Sequence, residues 1–141
     1  MKTISKNILS ALFAGLVLFL AACGNGALAD QQLSPERVLD GGLFIDVHQA
    51  YQFWEEGTYL LDVRTPEEWN QAHIPGAFLI PLDELQARIK ELPIDQDIVI
   101  YCRTGNRSAQ ALGLLQNADY STAYSMVGGI NDWIKVGYPV E

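Results

Sequence analysis

The sequence predicts an α/β domain of three layers, α/β/α, in which helices cover both faces of a five-stranded parallel sheet. Three observations carry that expectation. From Leu43 onward, short apolar runs alternate with segments of helical periodicity, the order that builds parallel strands joined by crossover helices. The run Asp97-Ile98-Val99-Ile100-Tyr101 lacks the polar alternation of a half-exposed strand, so it reads as a strand buried on both faces. The length of 141 residues, less a targeting segment, suits one small domain, and no repeat or second domain is legible.

Residues 1–22 read as an export signal, with Lys2 and Lys6 in a basic region and an apolar run from Ile8 to Leu20. At about 1.5 Å per residue that run spans roughly 20 Å, short of the ~30 Å hydrocarbon core of a bilayer. Residues 23–42 follow as a tether, small and polar from Gly24 to Ser34, with a short lead-in helix that Ser34-Pro35 opens and Gly41-Gly42 ends.

The domain proper is expected over 43–141. Leu43 to Ile45 is the first strand. Asp46 caps a helix whose Val47, Ala50, Tyr51 and Trp54 share one face and which ends at Gly57. Tyr59 to Val63 is the second strand, a short helix starts at Thr65, and Ala77 to Ile80 is the third strand. Leu82, Leu85, Ile89 and Leu92 mark a helix that Pro93 stops. Ile98 to Tyr101 is the fourth strand. The helix after it is read from Ser108, because Ala111, Leu114 and Leu115 recur at helical spacing. Thr122 to Ser125 is the fifth strand, and Ile130 to Val136 closes the domain as a helix.

The net charge of −8 becomes more negative once Lys2 and Lys6 are removed, and such a surface repels nucleic acid and anionic lipid. An anionic ligand must then be captured by a local basic site, for which Arg64, Arg103 and Arg107 are most of the supply. His48, His73 and the two cysteines show no zinc-like spacing, so no metal site is expected.

One cysteine stands out. Cys102 lies between the buried strand and a helix start, where loop and first-turn N–H groups have no intrahelical partners and can converge on an anion. The helix dipole, Arg103 and Arg107 all favour thiolate, and a fall of ~2 units from a free pKa near ~8.5 would make thiolate the main form at neutral pH. The competing reading, a strand-end cysteine packed as a small hydrophobe, fits poorly with two flanking arginines and a glycine.

The segment Cys102-Arg103-Thr104-Gly105-Asn106-Arg107-Ser108 resembles the active-site loop of rhodanese-type sulfurtransferases, C-R-x-G-x-R-S. Asp62-Val63-Arg64 with Glu68-Trp69, then His73-Ile74-Pro75-Gly76-Ala77, is similar to the family's D-V-R-x-x-x-E-[FWY] and G-H-I-x-G-A. Gly128-Gly129 with Trp133, then Gly137-Tyr138-Pro139, resembles its G-G-x-x-x-W and G-x-P. Ala72 departs from the pattern, standing where the family usually has glycine, and would cost stability if that position needs a positive φ.

The resemblance implies a rhodanese-like fold and transfer of sulfane sulfur through a Cys102 persulfide. The donor would be a small anion such as thiosulfate and the acceptor a thiol or cyanide, with no cofactor and a monomeric domain. It implies that the amides from Arg103 through Ser108, including those of Thr104, Gly105 and Asn106, hold the persulfide or the departing anion, that Arg107 fixes the donor's oxyanion and that Arg103 steers it. Arg64 is read either as a support for this site or as a salt-bridge partner of Asp62 or Glu68. His73 is read as fixing a turn, and Tyr51, Trp54, Trp69 and Trp133 as packing. Two rivals stay open: a persulfide carrier or anchored binding module without rapid turnover, and a cysteine-arginine phosphatase or arsenate reductase of the same fold. The latter families usually place the arginine one position further from the cysteine.

The end of the leader, Leu20-Ala21-Ala22-Cys23, resembles the lipobox of bacterial lipoproteins, which implies lipidation of Cys23 and an extracytoplasmic domain anchored to a bacterial membrane through its N-terminal lipid. Acylation of Cys23 would leave Cys102 without a disulfide partner.

Overall fold

The computed structural model describes residues 43–141. The expected signal segment 1–22, Cys23 with its lipid, and the tether and lead-in helix of 23–42 lie outside the described residues. Five strands, β1 (Phe44–Ile45), β2 (Tyr59–Asp62), β3 (Phe78–Leu79), β4 (Ile98–Tyr101) and β5 (Ala123–Met126), form one sheet in the order β1-β5-β4-β2-β3, with every pairing parallel. Helices α1 (Val47–Glu55), α2 (Pro66–Gln71), α3 (Leu82–Arg88), α4 (Asn106–Gln116) and α5 (Gly129–Lys135) make the crossovers, as expected for parallel strands. The five-stranded parallel α/β fold read from the sequence is the one found.

Two apolar cores lie on opposite faces of the sheet, and strand parity assigns residues to them. Leu61, Ile98 and Ile100 face α3 and α4, where they pack with Leu85, Ala111 and Leu115. Leu60, Val99 and Tyr101 face the other way, onto Ala50 of α1 and Ile130 and Trp133 of α5. Cys102 continues the parity of Ile98 and Ile100 and belongs to the core on the α3 and α4 side.

The local chemistry explains most element ends. Asp46 accepts from the amides of His48 and Gln49, while the Gln49 side chain accepts from the Asp46 amide, closing a capping box on α1. Thr65 and Glu68 do the same for α2. The third helix differs from its expected length: it tightens at Ile89 into a 3-10 turn, Ile89–Glu91, and Leu92 is extended (ψ 144°), the conformation that the following Pro93 imposes.

The fourth helix also differs, starting at Asn106 and not at Ser108. Gly105 has φ 102° and turns the chain directly from the loop into the helix, which brings Arg107 and Ser108 into its first turn. Ala72 has φ −170°, an ordinary extended conformation, so the position where the family usually has glycine requires no positive φ here.

Candidate active site

Cys102 follows β4 at the carboxyl edge of the sheet, where open α/β sheets bind ligands. Only 1% of it is exposed. The Gly105 amide donates to its Sγ at 3.1 Å, the Thr104 and Ser108 amides are aimed at the same sulfur, and the Ser108 hydroxyl lies 3.9 Å away. Burial pushes the Cys102 thiol up, but the amides of Ser108, Thr104 and Gly105, with the Ser108 hydroxyl, outweigh it and hold the thiol below its ordinary value. Peptide dipoles favour the thiolate here; the two guanidinium groups expected to do so are not among the groups bonded to the sulfur. Arg103, Thr104 and Asn106 are exposed on the outside of the loop.

The amides face inward because the carbonyls are held elsewhere. Ile130 N–H donates to the Cys102 carbonyl at 2.8 Å and Asn131 N–H to the Arg103 carbonyl at 3.2 Å, so the N-terminus of α5 grips the nucleophile loop from outside. The Gly105 carbonyl accepts from the Ser108 hydroxyl at 2.9 Å and from the Ala109 amide at 3.1 Å. This close approach accounts for Gly129. Its φ is +60°, and a Cβ there would strike the Cys102 carbonyl oxygen and lie 2.7 Å from the Arg103 carbonyl.

Two site residues were missed in the sequence. Ser125, fully buried on β5, donates to the Ser108 hydroxyl at 2.9 Å and fixes the side chain nearest the sulfur. A serine in a strand buried on both faces must find a polar partner, and that was the available signal. The second is Glu68, which was read as a partner for Arg64. Its carboxylate instead takes both terminal nitrogens of Arg107, at 2.7 Å each. The expected anion-holding arginine is therefore bound to a carboxylate across from the loop.

Arg64 falls to the salt-bridge reading. Its Nε lies 2.9 Å from both Asp62 oxygens and its Nη2 2.6 Å from Oδ2, while the guanidinium also donates to the carbonyls of Ala72 at 2.8 Å and Glu68 at 3.3 Å. It sits over the Tyr101 ring, on the face of the sheet opposite Cys102. Period-two alternation explains the placement, because Asp62 and Leu60 share that parity. His73 stacks on Trp69 with ring centroids 3.7 Å apart, and its backbone exchanges hydrogen bonds with Glu141, in keeping with a turn-fixing role. Tyr51, Trp54 and Trp133 pack against one another and Tyr138. Among the described residues, no cluster of three or more His, Cys, Asp or Glu side chains is arranged for a metal ion.

The Arg107 hydrogen bonds hold the Glu68 carboxyl at about 2, well below its ordinary 4.5. A carboxyl depressed on folding stabilises the fold above its unfolded pKa and loses that contribution as pH falls through the folded one. Wild-type protein should thus lose stability relative to Glu68→Gln between about pH 4.5 and 2, read as the difference in urea midpoints across that window. A constant difference would show that the ion pair contributes nothing to folding.

The model of the Rhodanese-like domain matches residues 46–136. The chain belongs to the rhodanese-like domain family. A protein of Allochromatium vinosum named "Sulfurtransferase" is 41% identical over 85 residues, which cover 60% of this chain and 79% of that one. The "Probable adenylyltransferase/sulfurtransferase MoeZ" of Mycobacterium tuberculosis is 44% identical over 82 residues, but these span only 21% of its length. Among solved structures, a rhodanese-related protein from Thermoplasma volcanium superposes with a TM-score of 0.66 at 33% identity, covering 70% of this chain and 97% of that one. The rhodanese-like domain of an Anabaena protein gives 0.63 at 31% identity, covering 69% and 76%. In this rhodanese-like domain the matched span contains Cys102, its loop, Glu68 and the Gly128-Gly129 pair.

Proposed function

We propose that this rhodanese-like domain is a sulfurtransferase that carries sulfane sulfur on Cys102, taking it from a donor such as thiosulfate and passing it to a thiol or cyanide. The Cys102 thiolate attacks the outer sulfur of the donor. A new S–S bond forms on Sγ as the donor's S–S bond breaks, and its electron pair leaves with sulfite. Attack by the acceptor on the terminal sulfur then returns Cys102 to thiolate. Inward-facing amides stabilise the charge on sulfur at each stage, and no cofactor enters the cycle. Arg103, exposed at the loop's rim, steers the incoming anion.

The observation that carries this reading is the Cys102 thiol held low by three loop amides that converge on its sulfur. An arginine already held by Glu68 and a nucleophile 1% exposed fit the bulk of a full phosphate poorly, which disfavours the phosphatase reading. The test is mass spectrometry of residues 43–141 after exposure to a sulfane donor. One added sulfur on the peptide containing Cys102, removable by cyanide, is expected. An unmodified thiol that releases phosphate from an aryl phosphate would reverse the assignment.

The leader supports a further proposal, that the mature chain begins at a lipidated Cys23 and is anchored outside the cytoplasm. Acyl chains resist salt but yield to detergent, so the protein made in a bacterial host should leave membranes only with detergent. Mass spectrometry of the mature N-terminus should find acylated Cys23. A free N-terminus downstream of Cys23 would show ordinary signal cleavage and a diffusing domain.

A further inference from the structure

Ser125 lies outside every segment that resembles the family signatures, and it is buried where a hydroxyl is costly. Its neighbours at the same level of the sheet are Phe44 on β1 and Ile100 on β4. A hydroxyl between apolar strand residues is tolerated only when it is bonded. Its bond goes to Ser108, also fully buried, whose oxygen accepts from Ser125 at 2.9 Å and whose hydrogen goes to the Gly105 carbonyl at 2.9 Å. The Cys102 Sγ lies 3.9 Å from that same oxygen. The Ser108 hydrogen therefore has two acceptors within reach, a carbonyl and the sulfur. The carbonyl does not depend on it, because the Ala109 amide donates there as well, at 3.1 Å. If the hydrogen turns to sulfur, no acceptor is orphaned, and Ser125 still supplies a donor to the Ser108 oxygen. A hydroxyl that accepts a hydrogen bond in this way donates a stronger one.

We propose that Ser125 is a positioning residue for the nucleophile, holding the Ser108 oxygen so that the Ser108 hydrogen follows negative charge on and off Sγ. The inference rests on the sulfur-transfer reading above. In loading, Sγ gives an electron pair to the donor's outer sulfur, and the Ser108 hydrogen returns to the Gly105 carbonyl. In discharge, the acceptor bonds to the outer sulfur, the Sγ–S bond breaks, and its electron pair returns to Sγ, where the Ser108 hydrogen meets it. Neither serine loses its proton, and no oxidant or reductant is consumed. Arg107, the charged side chain on which a Cys102 thiolate acts, is held by Glu68, so a change at position 125 leaves it in place.

The experiment follows Cys102 alkylation against pH and then times the two sulfur-transfer steps separately by mass spectrometry of the Cys102 peptide. Ser125→Ala should shift the alkylation profile to higher pH, which lowers the rate on its acid side about threefold. On the alkaline side, where wild type and variant are both thiolate, the two steps should part. Loading from thiosulfate should be no slower than in wild type, because a more basic thiolate is the better nucleophile. Discharge to a small thiol should be about twofold slower, because a more basic thiolate is the poorer leaving group. In a Ser108→Ala background the further change Ser125→Ala should move neither the profile nor the steps, since the group that transmits its effect is gone. A lower urea midpoint for Ser125→Ala with an unmoved alkylation profile would make the serine pair a structural tie alone and overturn the proposal. A shift that persists in the Ser108→Ala background would overturn it too. Wild-type Cys102 that takes no sulfur from thiosulfate overturns the sulfur-transfer reading instead, on which the alkylation profile does not depend.

Discussion

Cys102→Ala and Cys102→Ser are expected to lose sulfur transfer by more than about a thousandfold while folding normally. The sulfur forms and breaks the covalent bond, and neither a methyl group nor a hydroxyl of far higher pKa can replace it. Cys102 is the free cysteine of the described residues, so no neighbouring thiol can take over. The fold should tolerate both changes, because the strand and the grip of α5 on the loop act through the backbone. The measurement is multiple-turnover thiocyanate formation beside circular dichroism. Residual turnover above about one part in a hundred in either variant would rule out the covalent route. Wild-type protein that accepts one sulfur and does not turn over would be a carrier, not an enzyme.

The largest loss of stability should come from Arg64→Ala. Asp62 is fully buried, and its carboxylate depends on the Arg64 guanidinium and on the Arg64 amide, which donates to Oδ1 at 2.9 Å. Removing one partner of a buried pair leaves the other charge uncompensated and costs about 3–5 kcal/mol. The carbonyls of Ala72 and Glu68 lose their donor as well. Chemical denaturation should therefore find a much lower midpoint for Arg64→Ala. The double variant Asp62→Ala, Arg64→Ala should be less destabilised than the sum of the single changes, because no buried charge remains. Since Arg64 lies on the far face of the sheet, the protein that stays folded should still form the Cys102 persulfide. A variant of normal stability but no activity would return Arg64 to the site.

The strands and their parallel order were legible because each apolar run is short, bounded by turn residues and separated from the next by a helical pattern. The place of Cys102 was legible for a similar reason: a thiol between a buried strand and a helix start stands where loop and first-turn amides can converge. The direction of each arginine was not legible. Arg64 and Arg107 are both read as basic groups at the carboxyl edge of the sheet near Cys102, yet one faces away from it and the other is already paired. Strand parity could have placed Arg64, since Leu60 and Asp62 fix its side. Nothing local could have paired Arg107 with Glu68, because that contact joins α2 to α4 across 39 positions of chain. Of the two sources expected to lower the thiol, the converging loop amides are the ones found on the sulfur, and the arginines are not among its hydrogen-bond partners.

The grip of α5 on the nucleophile loop sets an order of assembly. The two amides that hold the carbonyls of Cys102 and Arg103 belong to Ile130 and Asn131, which leave the ribosome well after the cysteine itself. A nascent chain that stops short of Gly128 can already contain all five strands and the helix that follows the loop. Its carbonyls at positions 102 and 103 lack these two donors, and the loop is then held only from its far side, where the Ser108 hydroxyl and the Ala109 amide take the Gly105 carbonyl. The geometry that aims the loop's amides at sulfur is thus complete only once Ile130 and Asn131 are in place, so a chain cut before Gly128 is expected to carry a less reactive thiol.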